Sequence, residues 1–114
     1  MGSGPVTVTI GGLPFECAPL RSAVFDDLAA VYVILCVSEG GSWQILEVLD
    51  VGQIGQLGSR LDSHERKESW FANCPNKNVW VCVYKMPTER FSEEDRLRLE
   101  KALRQQYNPP CGQQ

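Results

Sequence analysis

The chain has 114 residues, of which 43% are hydrophobic and 22% are charged, and its formal net charge is −3. These values fit one compact globular domain with a small core. No apolar run is long enough to cross a bilayer, so we expect no membrane partner. Residues 1–5 lack the basic and apolar regions of a secretion signal, which favours a cytoplasmic location.

Charge is distributed unevenly along the chain. Residues 1–59 contain one basic and six acidic residues, whereas residues 60–104 contain ten basic and eight acidic residues. Because phosphate contacts need cations, we expect any nucleic-acid-binding surface in the second part. The alternative is a pair of solvated helix faces with mixed charge. The acidic total predicts that DNA binding is weak and strongly reduced by salt.

The cysteines give no sign of a disulfide framework. Five are present: Cys17, Cys36, Cys74, Cys82 and Cys111. They form no Cys-x-x-Cys pair and their number is odd, which argues against disulfides in a cytoplasmic protein. Cys36 and Cys82 fall within strand patterns, and we interpret them as small buried apolar residues. A zinc site of Cys74, Cys111 and His64 is an alternative that the spacing does not support.

The N-terminal part of the chain predicts a β-hairpin. Residues 6–10 alternate β-branched side chains, and Gly11 and Gly12 follow as a turn signal. Residues 13–17 then supply a returning strand. We assign residues 1–29 to this hairpin extension and residues 30–114 to the main domain.

The main domain predicts an α/β fold of the α+β type, with a small three-stranded antiparallel sheet flanked by two helices and the hairpin appended to it. Residues 31–37 are apolar and uncharged, as expected of a central strand that is buried on both faces. The other predicted strands are residues 43–51 and 79–86, and the predicted helices are residues 56–70 and a segment from the N-cap Ser92 to about Tyr107.

Four residues stand out along this order of elements: Tyr32 on the first strand, Arg60 and His64 one turn apart on the first helix, and Glu100 on the second helix. Their spacing and the order strand, strand, helix, strand, helix over residues 30–112 resemble the GIY-YIG nuclease superfamily. Residues 30–32 stand at the GIY block and residues 50–52 at the YIG block. Two positions depart from the pattern: Asp50 replaces the second tyrosine, and Gly112 replaces the terminal asparagine.

The resemblance implies a metal-dependent phosphodiesterase, an endonuclease, that acts on DNA. It implies that Glu100 binds Mg²⁺ or Mn²⁺ and that Tyr32 helps to activate the attacking water. It also implies that Arg60 contacts phosphate oxygens, while His64 orients Tyr32 or shares in proton transfer. We therefore expect these four side chains to converge on one concave surface beside the sheet.

Each of the four residues also has an ordinary structural interpretation. Tyr32 can pack in the sheet with its hydroxyl satisfied, and His64 can be a partly buried helix residue. Arg60 can pair with Asp50 or Glu100. Glu100 stands four residues after Arg96 and four before Arg104, so an exposed stripe of ion pairs is the alternative for this position.

The two departures from the pattern leave the function open. An aspartate at position 50 would repel a phosphate unless it joins the metal or pairs with Arg60. Gly112 has no side chain to hold a neighbouring group, although Asn108 lies one short turn earlier. A non-catalytic binding or regulatory module of the same fold is therefore the main alternative. A partner-interaction domain with exposed Trp70 and Phe71 is a further one, and the sequence is compatible with a homodimer.

Overall fold

A computed structural model describes residues 6–23, 28–55 and 66–112. Within these ranges the chain forms five strands and two α-helices. In chain order they are β1 (Val6–Ile10), β2 (Leu13–Pro19), β3 (Ala30–Val37), β4 (Ile45–Ile54), α1 (Lys67–Ala72), β5 (Val79–Lys85) and α2 (Glu93–Tyr107). A single 3₁₀ turn, Leu20–Ser22, follows β2.

The strands form one antiparallel sheet in the order β1-β2-β5-β3-β4. The prediction of a three-stranded sheet with an appended hairpin is therefore wrong, because β2 pairs with β5 along residues 16–19 and 80–83. In a three-stranded sheet β5 would be an open edge, and the hairpin covers that edge with hydrogen-bonded strands. The division of the chain at residues 29 and 30 stays a prediction.

Strand β3 lies in the interior of the sheet between β5 and β4, as its apolar sequence indicated. All eight of its residues are buried, and it pairs with β4 on one side and β5 on the other. Its alternating side chains enter two apolar layers. We name the layer that contains Trp70 and Cys74 the α1 face, and the layer that contains Leu103 the α2 face.

Helix α2 begins and ends with specific caps. The Ser92 hydroxyl accepts a hydrogen bond from the Asp95 amide at 3.1 Å, and the Asp95 carboxylate accepts one from the Ser92 amide at 2.9 Å. This capping box confirms Ser92 as the N-cap. Asn108 ends the helix in the left-handed conformation, with φ of 48°. The chain then returns to β4, where the Cys111 amide donates to the Leu49 carbonyl at 2.9 Å.

Helix α1 overlaps the C-terminal end of the predicted helix 56–70. It spans Lys67–Ala72, and residues 56–65 of the predicted helix lie outside the described ranges. Trp70 is fully buried on the α1 face. It therefore does not form the exposed partner surface that the sequence suggested. None of the helices in the described ranges is long and apolar enough to span a bilayer.

Two disulfides contradict the prediction that the cysteines are unpaired. Cys17 is bonded to Cys82, and Cys36 is bonded to Cys74. The partners are 65 and 38 residues apart in the sequence, so local spacing could not reveal them. Cys111 is free and buried. Because the Cys74 sulfur is already bonded to Cys36, it is not available as the zinc ligand that was considered with Cys111.

Candidate functional site

The site is built around Asp50, a charged residue on β4 between Leu49 and Val51. Its side chain is fully buried. One carboxylate oxygen accepts from the Val51 amide at 2.8 Å and from Arg104 Nη2 at 2.6 Å. The other accepts from Arg66 Nε and Trp70 Nε1, each at 2.7 Å. A carboxylate has about four acceptor positions, so these four donors saturate Asp50.

The two arginines come from different helices and meet at Asp50. Arg66 immediately precedes α1, and Arg104 lies in the last turn of α2. Burial lowers the pKa of the Arg66 guanidinium, but the hydrogen bond and charge of Asp50 outweigh it and hold that pKa above its ordinary value. The arginine side chains remain 28% and 19% exposed, so the cluster reaches the protein surface.

Tyr32 lies beside the same cluster on β3. Its hydroxyl oxygen accepts a hydrogen bond from Arg66 Nη2 at 3.1 Å. The ring covers Gly52 on the neighbouring strand so closely that any Cβ at Gly52 would collide with the phenol oxygen. Burial raises the pKa of Tyr32 to about 12. Tyr32 is therefore a neutral phenol near pH 7, packed in the sheet with its hydroxyl satisfied.

Glu100 approaches the cluster from α2, one turn before Arg104. Its Oε2 lies 3.5 Å from Arg104 Nε, and its side chain is 22% exposed. Burial raises the pKa of Glu100, and the nearby positive charge of Arg104 opposes that shift. The charge of Glu100 in turn contributes to the raised pKa of Tyr32. The Glu100–Arg104 pair thus exists as the sequence suggested, but it faces the site instead of forming an exposed stripe.

Gly112 closes the site from the C-terminal segment. A Cβ at this position would lie 2.5 Å from Arg104 Nη2 and 2.5 Å from Asp50 Oδ1. Its φ of +73° also disfavours any side chain. Arg104 Nη1 donates to the neighbouring Cys111 carbonyl at 3.2 Å. Glycine is therefore required here, and an asparagine would displace the Asp50–Arg104 contact.

A cavity of about 740 Å³ opens beside the cluster, on the outer side of α2. Its lining combines two residues of the cluster, Glu100 and Arg104, with Leu97, Lys101, Gln105, Asn108, Pro109 and Gly112. Asn108, which the sequence offered as a substitute for the missing asparagine, thus borders the cavity. We name Tyr32, Asp50, Arg66, Trp70, Glu100 and Arg104 together the Asp50 cluster.

The structure brings two of the four predicted site residues together. Tyr32 and Glu100 both belong to the Asp50 cluster, whereas Arg60 and His64 lie outside the described residues. The alternative for Arg60 was a pair with Asp50 or Glu100, and within the described residues Arg66 and Arg104 are the arginines that contact Asp50.

The need for donors around Asp50 could be inferred from the sequence, although the donors themselves were not identified. A buried charge needs paired, hydrogen-bonded partners, and Asp50 has the apolar neighbours Val48, Leu49 and Val51. A buried carboxylate at this position requires hydrogen-bond donors from other parts of the chain. Spacing does not single out Arg104, because Arg96 also stands four residues from Glu100.

We tested the implied metal against the acceptors that the cluster offers. Asp50 is saturated by four donors, so it cannot bind a cation without losing them. Among residues 6–23, 28–55 and 66–112, no group of three or more histidine, cysteine or acidic side chains could hold a metal ion. Glu100 remains as a single carboxylate at the mouth of the cavity. One carboxylate can bind Mg²⁺ when water supplies most of the other ligands, so Glu100 is the residue of the cluster that would hold the implied ion.

Comparison of the sequence with protein-family models and curated proteins, and of the structure with solved structures, found no match. The resemblance to the GIY-YIG superfamily therefore depends on the residues and intervals given above. The Asp50 cluster and its cavity supply the independent physical basis for a functional proposal.

Proposed function

We propose that this protein is a GIY-YIG-like phosphodiesterase that cuts DNA in the presence of Mg²⁺ or Mn²⁺, with Glu100 as the metal ligand. One observation supports this most strongly. Tyr32 and Glu100, which are 68 positions apart in the sequence, each contact one of the two arginines that bind Asp50, and Glu100 and Arg104 also line a cavity. Gathering of charged and titratable groups at a concave surface is typical of catalytic sites.

The arginines neutralise the anion that replaces the second tyrosine. Arg66 and Arg104 both contact Asp50, so the carboxylate does not present an uncompensated charge to a phosphate. Hydrogen bonds to fixed acceptors also hold both guanidinium groups in place before a substrate arrives. Preorganised donors of this kind stabilise the charge that develops on a phosphoryl group during hydrolysis. Asp50 is a positioning residue in this proposal.

Tyr32 contacts Arg66 through its hydroxyl group. Its hydroxyl oxygen accepts from Arg66, and its pKa of about 12 keeps the phenol protonated near neutral pH. The phenol therefore orients the guanidinium. The water-activating role that the resemblance gives to Tyr32 stays a prediction, as do the roles of Arg60 and His64.

The bound metal would supply charge neutralisation at the phosphate and a more acidic water. Glu100 suits this role because its carboxylate lines the cavity and remains 22% exposed. A divalent cation there would compete with Arg104, which lies 3.5 Å from the same carboxylate. Lys101 borders the same cavity and offers a further contact to the DNA backbone.

DNA is the proposed partner, and its binding should be weak. Asp50 and Glu100 offset the charges of Arg66 and Arg104, so the cluster itself is close to neutral. We expect about three to five phosphate contacts, which gives a log–log salt slope of about that size. A cytoplasmic location and a homodimer stay predictions from the sequence.

A non-catalytic binding module of the same fold is the second candidate. The saturation of Asp50 favours it, because this carboxylate cannot share the metal with Glu100. Under this alternative the arginines and Lys101 bind a phosphate backbone that is not cut. The two candidates differ in cleavage and agree in binding.

A plasmid-nicking assay separates them. Wild type, Glu100→Gln and the control Glu94→Gln are compared with Mg²⁺, with Mn²⁺ and with EDTA. Glu94 is an exposed residue on the same helix, so its variant has the same charge change away from the site. We expect Glu100→Gln to lose at least about 100-fold in nicking rate, with Glu94→Gln unchanged. DNA binding without cleavage by wild type would select the module and overturn the enzyme.

A further inference from the structure

A groove of about 540 Å³ lies on a different side of α2 from the cavity at the Asp50 cluster, and the two share no lining residue. Its volume is within the range that is typical of small-molecule sites. One wall is α2, where lining residues three or four positions apart lie on one side of the helix. We name this space the Tyr84 groove, and the residues that line it from outside α2 are Leu13, Tyr84, Met86, Arg90 and Phe91.

The floor of the Tyr84 groove is apolar. Leu13, Phe91 and Leu99 are partly buried and pack against the apolar layer of the α2 face, to which the buried Met86 also belongs. Part of the surface of these side chains therefore remains in contact with water. Covering it with a hydrocarbon chain is favourable, because apolar surface leaves water.

Ala102 keeps the groove open on the helix side. Its side chain is a single methyl group, and the residue is exposed. The larger neighbours Leu99 and Leu103 pack on the α2 face and cover the sheet beneath the helix. Because Ala102 lines the groove, a longer side chain at this position would occupy part of the space.

The charges that line the groove are positive in balance, although the whole chain is acidic. Arg90 and Arg98 supply two guanidinium groups, and Asp95 supplies one carboxylate. That carboxylate is already bonded, because it accepts from the Ser92 amide at 2.9 Å and from Arg98 Nη1 at 3.2 Å. Within residues 6–23, 28–55 and 66–112, Arg90 forms no ion pair. A ligand carboxylate would match its fork of donors.

The strands beside the groove offer no open backbone edge to a peptide. Strand β2 pairs with β1 and β5, and β5 pairs with β2 and β3. A peptide in the groove would place its own amide and carbonyl groups on an apolar floor without strand partners, which is unfavourable. A hydrocarbon chain has no such groups. The groove therefore favours a simple apolar chain with one anionic end.

We propose that the Tyr84 groove is a binding site for a medium-chain fatty acid. The hydrocarbon chain covers Leu13, Phe91 and Leu99, and the carboxylate pairs with Arg90, whose amide is held by the Pro87 carbonyl at 2.9 Å. This site is separate from the Asp50 cluster. It does not depend on whether the protein cuts DNA.

The test titrates the full chain with sodium decanoate, at concentrations below those at which decanoate forms micelles. Two-dimensional amide NMR spectra give the dissociation constant and identify the amides whose chemical shifts change. Two further probes separate the contributions of chain and charge. Acetate has the carboxylate without the chain, and decylammonium has the chain with the opposite charge.

Three variants locate the site. Arg90→Gln removes the unpaired positive charge, and Ala102→Leu fills the groove from the helix wall while keeping a residue of high helix propensity. Arg21→Gln is the matched control, because Arg21 is an exposed arginine on the 3₁₀ turn and does not line the groove. We expect the first two to weaken decanoate binding by about tenfold or more. The control should change it by less than about twofold.

The largest shift changes are expected at the amides of Leu13, Phe91, Leu99 and Ala102. Decylammonium should bind about tenfold more weakly than decanoate, and acetate should cause no comparable change. If Ala102→Leu does not fold, the wild-type shifts and Arg90→Gln decide.

Absence of decanoate binding would overturn the proposal, as would shift changes centred on another part of the chain. Equal binding of decylammonium would also overturn it, because charge would then have no role. Plasmid nicking is not measured here, so failure of the proposed nuclease leaves this result unaffected.

Discussion

The two faces of the sheet are stabilised in different ways. On the α2 face, a helix of 15 residues covers apolar side chains that include Phe15, Val33 and Leu103. On the α1 face, a helix of six residues covers a layer that also contains Asp50, a buried anion whose acceptor positions are all occupied. Each face also contains one disulfide.

The difference separates contacts that stabilise the fold from contacts that hold particular polar groups in position. Apolar contacts on the α2 face are non-directional, so they favour folding without fixing any one polar atom. The hydrogen bonds of Asp50 are directional and fix two guanidinium groups and an indole. The Asp50 cluster lies on the face that depends on directional contacts. Substitutions on the two faces should therefore lower stability for different physical reasons.

The largest effect is expected for Asp50→Asn on the α1 face. An amide cannot accept from four donors, so Arg66, Arg104 and Trp70 lose partners while they remain partly or fully buried. Removing one member of a buried charge pair costs about 3–5 kcal/mol of the free energy of unfolding. Urea denaturation measures it. Glu47→Gln, on an exposed position of the same strand, should change stability by less than about 0.5 kcal/mol.

A somewhat smaller loss is expected for Leu103→Ala on the α2 face. Leu103 is buried, and Gly11 of the β1–β2 turn packs so close that a Cβ there would lie 2.6 Å from a Leu103 methyl carbon. Truncation should cost about 3 kcal/mol through lost burial and an internal cavity. Leu97→Ala, 45% exposed on the same helix, is the control. If Leu97→Ala costs as much, the apolar account of this face is wrong.

Gly112→Ala tests the cluster from its outer side. The new Cβ would meet Arg104 and Asp50, and the φ of +73° adds backbone strain. Gly40→Ala supplies the matched control, since Gly40 has φ of +69° and no atom within 4 Å of its Cβ position. Gly40→Ala should cost about 1 kcal/mol and Gly112→Ala about 2 kcal/mol, the difference being the displaced Arg104. Equal losses would argue against the close approach.

The smallest effect is the pH dependence that Glu100 contributes. Burial raises its pKa in the folded protein above the ordinary value of 4.5, against the nearby Arg104 and Arg66 and together with Asp50. The protonated form therefore favours folding. This contribution is complete below the ordinary value and is lost as pH rises through the raised pKa. Urea unfolding from about pH 4 to pH 7 should show wild type losing stability relative to Glu100→Gln. Parallel curves would contradict the shift.

The sequence predicted the elements whose signals are local. The apolar run of β3 indicated a central strand, and Ser92 with Asp95 specified the start of α2. The pairing of β2 with β5 was not predictable in the same way, because alternation defines which side chains are buried but does not name the partner strand. The disulfides escaped for the same reason, since Cys17 and Cys82 meet only through that pairing.

The catalytic roles that the sequence predicts for Tyr32, Arg60, His64 and Glu100 stay predictions. Tyr32 and Glu100 were identified from the order of elements, and both belong to the Asp50 cluster. Asp50 was interpreted as an anion that repels a phosphate unless it joins the metal or pairs with Arg60, because a sequence does not show which cations will surround a carboxylate. The structure places Arg66 and Arg104 on it, and neither was distinguishable from the other basic residues by spacing alone.

The packing of Tyr32 on Gly52 also determines how β3 and β4 can align. A one-residue slip of β4 would bring Val51 or Gln53 beneath the ring, where there is no room for a side chain. The same slip would turn Asp50 toward the opposite face, because successive residues of a strand alternate. Gly52, which has no side chain, thus excludes misaligned pairings of β3 and β4 during folding. Through the alignment that remains, it also determines which face of the sheet carries the Asp50 carboxylate.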